Sequence, residues 1–310
     1  MAGNNCKCGK NKSFVAGVGA TNVDILYSGL ERLPREGEEL YTKKFSLQLG
    51  GGVPATLINL GRLNIPVKIA TQLGKDMFSR FARAQFENNG VEPKNLYCGD
   101  EIPLNITSVM ITPGERTFVT YGQGEFEADE KMLELSYEMC HGAKIAIMTP
   151  GSFLPLYEKL KNDGTVLVFD CGWDDELCLE KYEKYLRLAD YYTPNRKEAL
   201  KITGCEEPYE AARVLSRYFE RVVIKLDKDG CLGFENGDFF TVKPLENIEA
   251  VDSTGAGDAF LAGFIYGLYR DRSFEECIRL GNITGGRCVE KVGCLSGYAD
   301  ENELIEALNN

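Results

Sequence analysis

From residue 144 onward the chain alternates short β-rich apolar runs with amphipathic stretches, and few folds accommodate that rhythm. The strand candidates are residues 144–148 (KIAIM), 165–170 (TVLVFD), 189–193 (ADYYT) and 221–226 (RVVIKL). Helical periodicity fills the gaps at 152–161, 175–188, 196–202 and 209–219. Continuous apolar strands separated by helices predict a mostly parallel sheet with helices on both faces. The first half repeats the pattern, with strands at 14–19 and 67–71 and helices at 53–63 and 78–88. Two strand-like stretches break it, at 40–49 and 105–123, and the second turns at Pro113-Gly114 between ITSVMI and RTFVTY. They predict a small antiparallel sheet outside the core, a lid formed by roughly 35–49 and 97–123 of a single domain covering 13–310. A second hairpin at 231–242, around Asn236-Gly237, predicts the antiparallel edge of the main sheet.

Composition narrows the functional classes. The 310 residues carry 47 acidic and 35 basic side chains, a net charge of -12, which argues against nucleic acid or an acidic membrane surface as partner. No apolar run approaches the roughly 18 residues of a membrane-spanning helix. Residues 1–12 form a polar tail without a signal-peptide core, and eleven scattered cysteines suit a reducing compartment, so a cytoplasmic protein is expected. Cys6 and Cys8 lack a second pair at zinc spacing and are read as part of that tail. His141 is the only histidine, which excludes a two-histidine metal site. It falls at a predicted helix end, so a carboxylate becomes the leading candidate for a general base.

The strongest local signal is Asp252-Ser253-Thr254-Gly255-Ala256-Gly257-Asp258, followed by an apolar helical pattern through Leu268. A small-residue turn opening a helix lets successive amides converge on an anion, with the helix dipole behind them. Asp258 falls in the first helical turn. By spacing alone it is either a helix-start carboxylate or a base that takes a proton from an attacking hydroxyl while the amides stabilise a transferring phosphoryl group.

The wider sequence bears on that choice. DSTGAGDAFLAGF resembles the carboxy-terminal signature of the ribokinase-like (PfkB) carbohydrate kinases, and the likeness extends over nearly the whole chain. LGGGVPATLINLGRL (49–63) is similar to the family's glycine-pair motif, Gly74-Lys75-Asp76 to its GxD turn, Pro194-Asn195-Arg196-Lys197-Glu198 to its NxxE motif, and 282–293 to its adenine-side segment. The resemblance implies a three-layer αβα ribokinase-like fold with a β-sheet lid, and an ATP-dependent kinase acting on a small sugar. It implies Asp258 as catalytic base and the amides of Gly255, Ala256 and Gly257 as anion hole. Asn195 and Glu198 would organise Mg2+, largely through water. Lys225, Asp227, Gly230 and Asn282 would face the nucleotide, and Asn22, Asp24, Gly51, Gly52 and Thr56 the sugar. Asp252 and Thr254 match part of a monovalent-cation (K+) site, and the lid edge implies a homodimer.

Departures from the family pattern matter. Thr56 stands where an Asn is usual, so a sugar contact is lost or altered, and Lys225-Leu226-Asp227 replaces a common Thr-x-Gly. Lys225 contacts phosphate or is solvated at a strand end. Taken alone, Glu198 is an exposed helix residue, and Asp24 is as readily a turn residue as a ligand for sugar hydroxyls. A nucleoside kinase remains compatible with an aromatic lid (Phe118, Tyr121, Phe126). A phosphosugar kinase needs a cationic cluster, for which Arg116 is a lid candidate, although a solvated hairpin arginine is the simpler reading. A sugar-binding regulatory protein without turnover is disfavoured by intact Asp258, Asn195 and Glu198. The scarcity of basic residues in the acceptor-side motifs favours an uncharged sugar.

Overall fold

Alternation of side chains along the central strands sets the layers of this protein. The computed structural model describes residues 13–122 and 126–309; residues 1–12, with Cys6 and Cys8, and Gln123, the last residue of the predicted lid segment, lie outside the described residues. The first part runs β1 (Val15–Val18), β2 (Asn22–Ser28), β3 (Lys44–Gly50), α1 (Gly52–Arg62), β4 (Val67–Thr71), α2 (Met77–Asn88) and β5 (Val91–Asn95). Next come β6 (Asn105–Thr112), β7 (Glu115–Tyr121), α3 (Glu130–Cys140), β8 (Ile145–Met148), α4 (Leu154–Asn162), β9 (Val166–Phe169), α5 (Leu179–Leu188) and β10 (Tyr191–Tyr192). The chain continues through α6 (Arg196–Thr203), α7 (Pro208–Leu215), β11 (Arg221–Lys225), β12 (Cys231–Glu235), β13 (Asp238–Val242), α8 (Ala256–Tyr269), α9 (Phe274–Val289) and α10 (Glu301–Asn309).

Six parallel strands form the central sheet in the order β10-β9-β8-β1-β4-β5. Ala16, Val18, Ala146, Met148, Leu167 and Phe169 pack into one core with α3 to α7. Val15, Ile145, Ile147 and Val168 pack into the other with α1, α2, α8, α9 and α10. Successive side chains thus serve opposite layers, which is why these strands are apolar throughout and why the architecture is αβα. The order reverses between β1 and β8, so a crevice opens beyond their carboxyl ends, the usual ligand position in such sheets.

Two features of the sheet depart from expectation. β5 was not anticipated, because VEPKN contains a proline; it lies at the sheet edge, where a missing N–H donor is tolerated. The predicted strand at 189–193 shortens to two residues before Pro194. The sheet still continues, since Asn195 and Lys225 form a parallel bridge that joins the antiparallel β11-β12-β13 sheet to this edge.

The second β-layer has the order β3-β2-β6-β7. The two stretches singled out from sequence do not pair with each other: β2 lies between them, antiparallel to β3 and parallel to β6. The sheet is therefore mixed. The segment after β1, whose Asp24 alone suggests a turn, is a seven-residue strand. Its β6–β7 hairpin closes at Pro113-Gly114 with Thr112 opposite Glu115, and Gly114 takes the positive φ (87°) that a type II turn requires at its third residue. His141 caps the end of α3, with Nδ1 3.2 Å from Asp163, away from the crevice.

Candidate active site

The start of α8 sits at the mouth of the crevice. Gly255 adopts a left-handed conformation (φ 77°), and a Cβ there would lie 2.2 Å from that of Cys294, so both backbone shape and space demand glycine. Within this turn the Ala256 amide donates to the Ser253 carbonyl (3.3 Å), and α8 begins at Ala256. A Cβ on Gly257 would lie 3.4 Å from Lys225 Nζ, which places an ammonium beside the amide nest. Lys225 rests 5.6 Å from the centroid of the Phe260 ring, and its backbone N–H donates to the Pro194 carbonyl (2.9 Å), so the strand end is fixed.

Asp258 follows in the first turn, half-buried. A Cβ on Gly52 would lie 3.3 Å from Asp258 Oδ1 and 3.8 Å from Asp170 Oδ2, so these two carboxylates flank the glycine that begins α1. Gly51, with φ 97°, packs against the Ala20 carbonyl and turns the chain from β3 into this helix. Burial raises the Asp258 pKa well above the usual carboxylate range; Asp170 and Glu198 add to the effect and Lys225 opposes it. Asp170 was absent from the sequence-derived site. Its signal was a carboxylate at the carboxyl end of a parallel strand, TVLVFD, at the level where such sheets bind ligands.

Asn195 and Glu198 form a reciprocal capping box at the start of α6. Asn195 Oδ1 accepts from the Glu198 amide (2.9 Å), and Glu198 Oε2 accepts from the Asn195 amide (2.8 Å). Glu198 is buried rather than an exposed helix residue. Burial raises its pKa, which Lys225 lowers in turn and Asp170 raises further. Asp258 and Glu198 therefore share one ammonium, with Asp170 beside them. Among the described residues no group of His, Cys, Asp or Glu forms a direct metal cage. The donors fit an oxygen-seeking divalent ion that keeps its waters and takes further ligands from phosphate.

A cavity of about 270 Å³ opens between the β3-β2-β6-β7 sheet and the loop preceding α8. Period-two alternation aims Asn22, Asp24 and Leu26 of β2, Thr107, Val109 and Ile111 of β6, and Arg116, Phe118 and Thr120 of β7 into it. Asp24 is opposite Gln48 on one side and Thr107 on the other. Burial lifts its pKa from 3.8 to about 6, with a hydrogen bond from Thr107 acting the other way. A Cβ on Gly50 would lie 2.4 Å from Asp24 Oδ2, so that glycine makes room for the carboxylate. Asn105 donates to Asn22 Oδ1 (3.0 Å).

Several assignments change with the geometry. Thr56 is fully buried and donates its hydroxyl to the Asp258 carbonyl (3.3 Å), tying α1 to α8 instead of facing the cavity. The Asn282 amide donates to the Val242 and Lys243 carbonyls (3.3 and 2.9 Å) and its oxygen accepts from the Cys231 thiol (3.1 Å), so it braces the end of the β12–β13 hairpin. Asp227 (φ 54°) and Gly230 form the turn after β11, closed by the Leu226 amide on the Gly230 carbonyl (2.7 Å). Phe126 packs on Phe153, with ring centroids 5.2 Å apart, and lies half-buried against the core. Arg116 is not a solvated hairpin residue: it crosses the cavity and donates to Asp252 Oδ1 and Thr254 Oγ1. Asp252 also accepts from the amides of Thr254 (2.7 Å) and Gly293 (2.8 Å). Burial works against its charged form, yet these donors and Arg116 prevail and lower its pKa.

The model for "pfkB family carbohydrate kinase" matches residues 12–301. The chain belongs to this family. Among PfkB relatives, an uncharacterized sugar kinase of Archaeoglobus fulgidus is 28% identical over 250 residues, 77% of this chain and 98% of the relative. A cytidine kinase of Thermococcus kodakarensis is 32% identical over 208 residues, 61% of this chain and 74% of the relative. The solved Arabidopsis thaliana ribokinase, complexed with ribose and ATP, shares the fold with a TM-score of 0.79, 23% identity and coverage of 96% of this chain and 99% of that one. No helix among the described residues is long and apolar enough to cross a membrane.

Proposed function

We propose that this PfkB kinase transfers the γ-phosphoryl group of ATP to a hydroxyl of a small, uncharged sugar. The observation that carries the reading is Asp258: a carboxylate one turn into α8, behind a glycine-built amide nest and beside Lys225. Asn22 and Asp24 hold hydroxyls of the acceptor, an ionised Asp24 accepting two at once. Asp258 accepts the proton of the attacking hydroxyl. The freed oxygen displaces ADP in line at the γ-phosphorus, and the amides of Gly255 to Gly257 with Lys225 stabilise charge on the transferring group. Glu198, Asn195 and Asp170 would hold Mg2+ through its waters, and that ion, when bound, neutralises the phosphates. The Arabidopsis ribokinase complex with ribose and ATP supports both substrates.

The neutral acceptor follows from charge. Arg116, the one basic residue lining the cavity, is already neutralised by Asp252, and Asp24 would repel a phosphate or carboxylate. At about 270 Å³ the cavity is at the small end of ligand sites, which suits a monosaccharide. A second reading, a nucleoside, draws on the apolar wall of Leu26, Val109, Ile111 and Phe118 and on the cytidine kinase relative. A coupled ADP-release screen over pentoses, hexoses, sugar phosphates, keto-deoxy acids and nucleosides, with Asp258→Asn as control, separates them. Preference for a phosphorylated sugar or an acid would overturn the neutral-acceptor reading, and preference for a nucleoside would select the second.

The four-stranded sheet acts as a lid that excludes water from the transfer. Its other side exposes Tyr27, Phe45, Val119 and Tyr121, which supports a homodimer through the lid, to be measured by sedimentation velocity. Cysteine usage supports a cytoplasmic location, which cell fractionation tests.

A further inference from the structure

The loop ahead of the anion hole carries a cation of its own. Asp252 is almost fully buried, and both its oxygens are engaged: Oδ1 by the Thr254 amide and Arg116, Oδ2 by the Gly293 amide. The Thr254 hydroxyl accepts the other arm of the guanidinium. Two nearby carbonyls already accept hydrogen bonds. That of Val289 takes the amides of Val251 (2.7 Å) and Asp252 (3.1 Å), and that of Thr254 takes the Cys288 thiol (3.5 Å). A potassium ion needs several free oxygens and a charge to balance, and here the carboxylate is already balanced. The K+ site implied for Asp252 and Thr254 by family resemblance does not fit this chain.

We propose that Arg116 replaces that ion, so that lid closure seats a fixed positive charge on Asp252 and Thr254 and makes turnover independent of potassium. Thr254 immediately precedes Gly255, whose left-handed backbone aims the amide nest. Clamping Thr254 by its side chain and Asp252 by its carboxylate therefore fixes the anion hole from the lid side. Arginine suits the task because its planar fork reaches two partners at once, where an ammonium acts as a single point charge. Arg116 is a positioning residue, held at a distance from the reacting atoms by Asp252. Its side chain is 25% exposed against 4% for Asp252, so the pair is sheltered and only partly screened by salt.

The proposal rests on the kinase reading, and its test has one arm that needs no acceptor. Wild type, Arg116→Ala and Arg116→Lys are melted in KCl and in choline chloride at equal ionic strength. Wild type should melt alike in both, whereas Arg116→Ala should be stabilised by KCl, as a vacated cation site requires. In ADP release, wild-type kcat should differ less than about 2-fold between the salts. Arg116→Ala should lose about 30-fold in choline, mostly in kcat, and recover with KCl or guanidinium chloride, with Arg116→Lys intermediate. Wild type that is activated or stabilised by KCl overturns the proposal, as does an Arg116→Ala variant indifferent to KCl, whether active or dead. Should no acceptor be phosphorylated, the kinase reading fails while the melting arm still decides the cation site.

Discussion

The two ends of the proposed site are built differently. At the phosphate end, Asp258, Glu198 and the Gly255 to Gly257 amides all sit at helix starts on the core, within segments of a few residues. At the acceptor end, Asp24, Gln48 and Thr107 come from three different strands and meet only through strand register. A helix terminus orients its groups by local geometry, whereas a sheet face orients them by pairing partners far apart in sequence. The phosphate end should therefore govern the chemical step, and the acceptor end should govern affinity and closure.

The largest expected effect lies at the phosphate end. Asp258→Asn should lower kcat by about 10³-fold with ATP affinity nearly unchanged, measured by single-turnover kinetics and nucleotide titration. Near-native turnover would break the division between the two ends. Glu198→Gln should come next, raising the Mg2+ concentration for half-maximal rate by roughly 10- to 100-fold at little cost to acceptor KM.

At the acceptor end, Asp24→Asn should raise acceptor KM by about 30-fold while changing kcat little, as loss of charge-assisted hydrogen bonds implies. Its pH dependence follows from burial, which holds the Asp24 proton to about pH 6. A raised carboxyl pKa gives the empty protein stability that is complete below about pH 4 and lost as pH rises through 6. Asp24→Asn should remove that loss and, after allowance for partial exposure, gain about 1–2 kcal/mol at pH 7 in urea melts. Wild-type KM should rise as pH falls below 6. A pH-independent KM would show that Asp24 does not hold the acceptor. The smallest effect is expected for Thr56→Ala, a loss of about 1 kcal/mol in stability with KM unchanged, since its hydroxyl serves the α1–α8 contact. A raised KM would return Thr56 to the sugar side.

Legibility in the sequence follows the same division. The helix start at Asp258 was readable because its small-residue turn and apolar helix are contiguous, and the αβα layering was readable because both sheet faces demand apolar side chains. The lid was half legible. Its hairpin declared itself at Pro113-Gly114, but β2 did not, since a seven-residue strand with three polar or charged positions in NVDILYS has no clear period of its own. Asn282 was placed by motif position, and only its three hydrogen bonds reveal a bracing role.

The sequence by itself determined the family, the parallel core and the helix start at Asp258, because each rests on contacts within a few residues or on alternation along a strand. Tertiary structure alone decided that β2 joins the lid, that Asp170 stands beside Asp258, that Thr56 turns away from the cavity and that Arg116 meets Asp252 across 136 residues of chain. Those are pairings between distant segments, and their partners are chosen by register, packing and charge that no local stretch of chain contains.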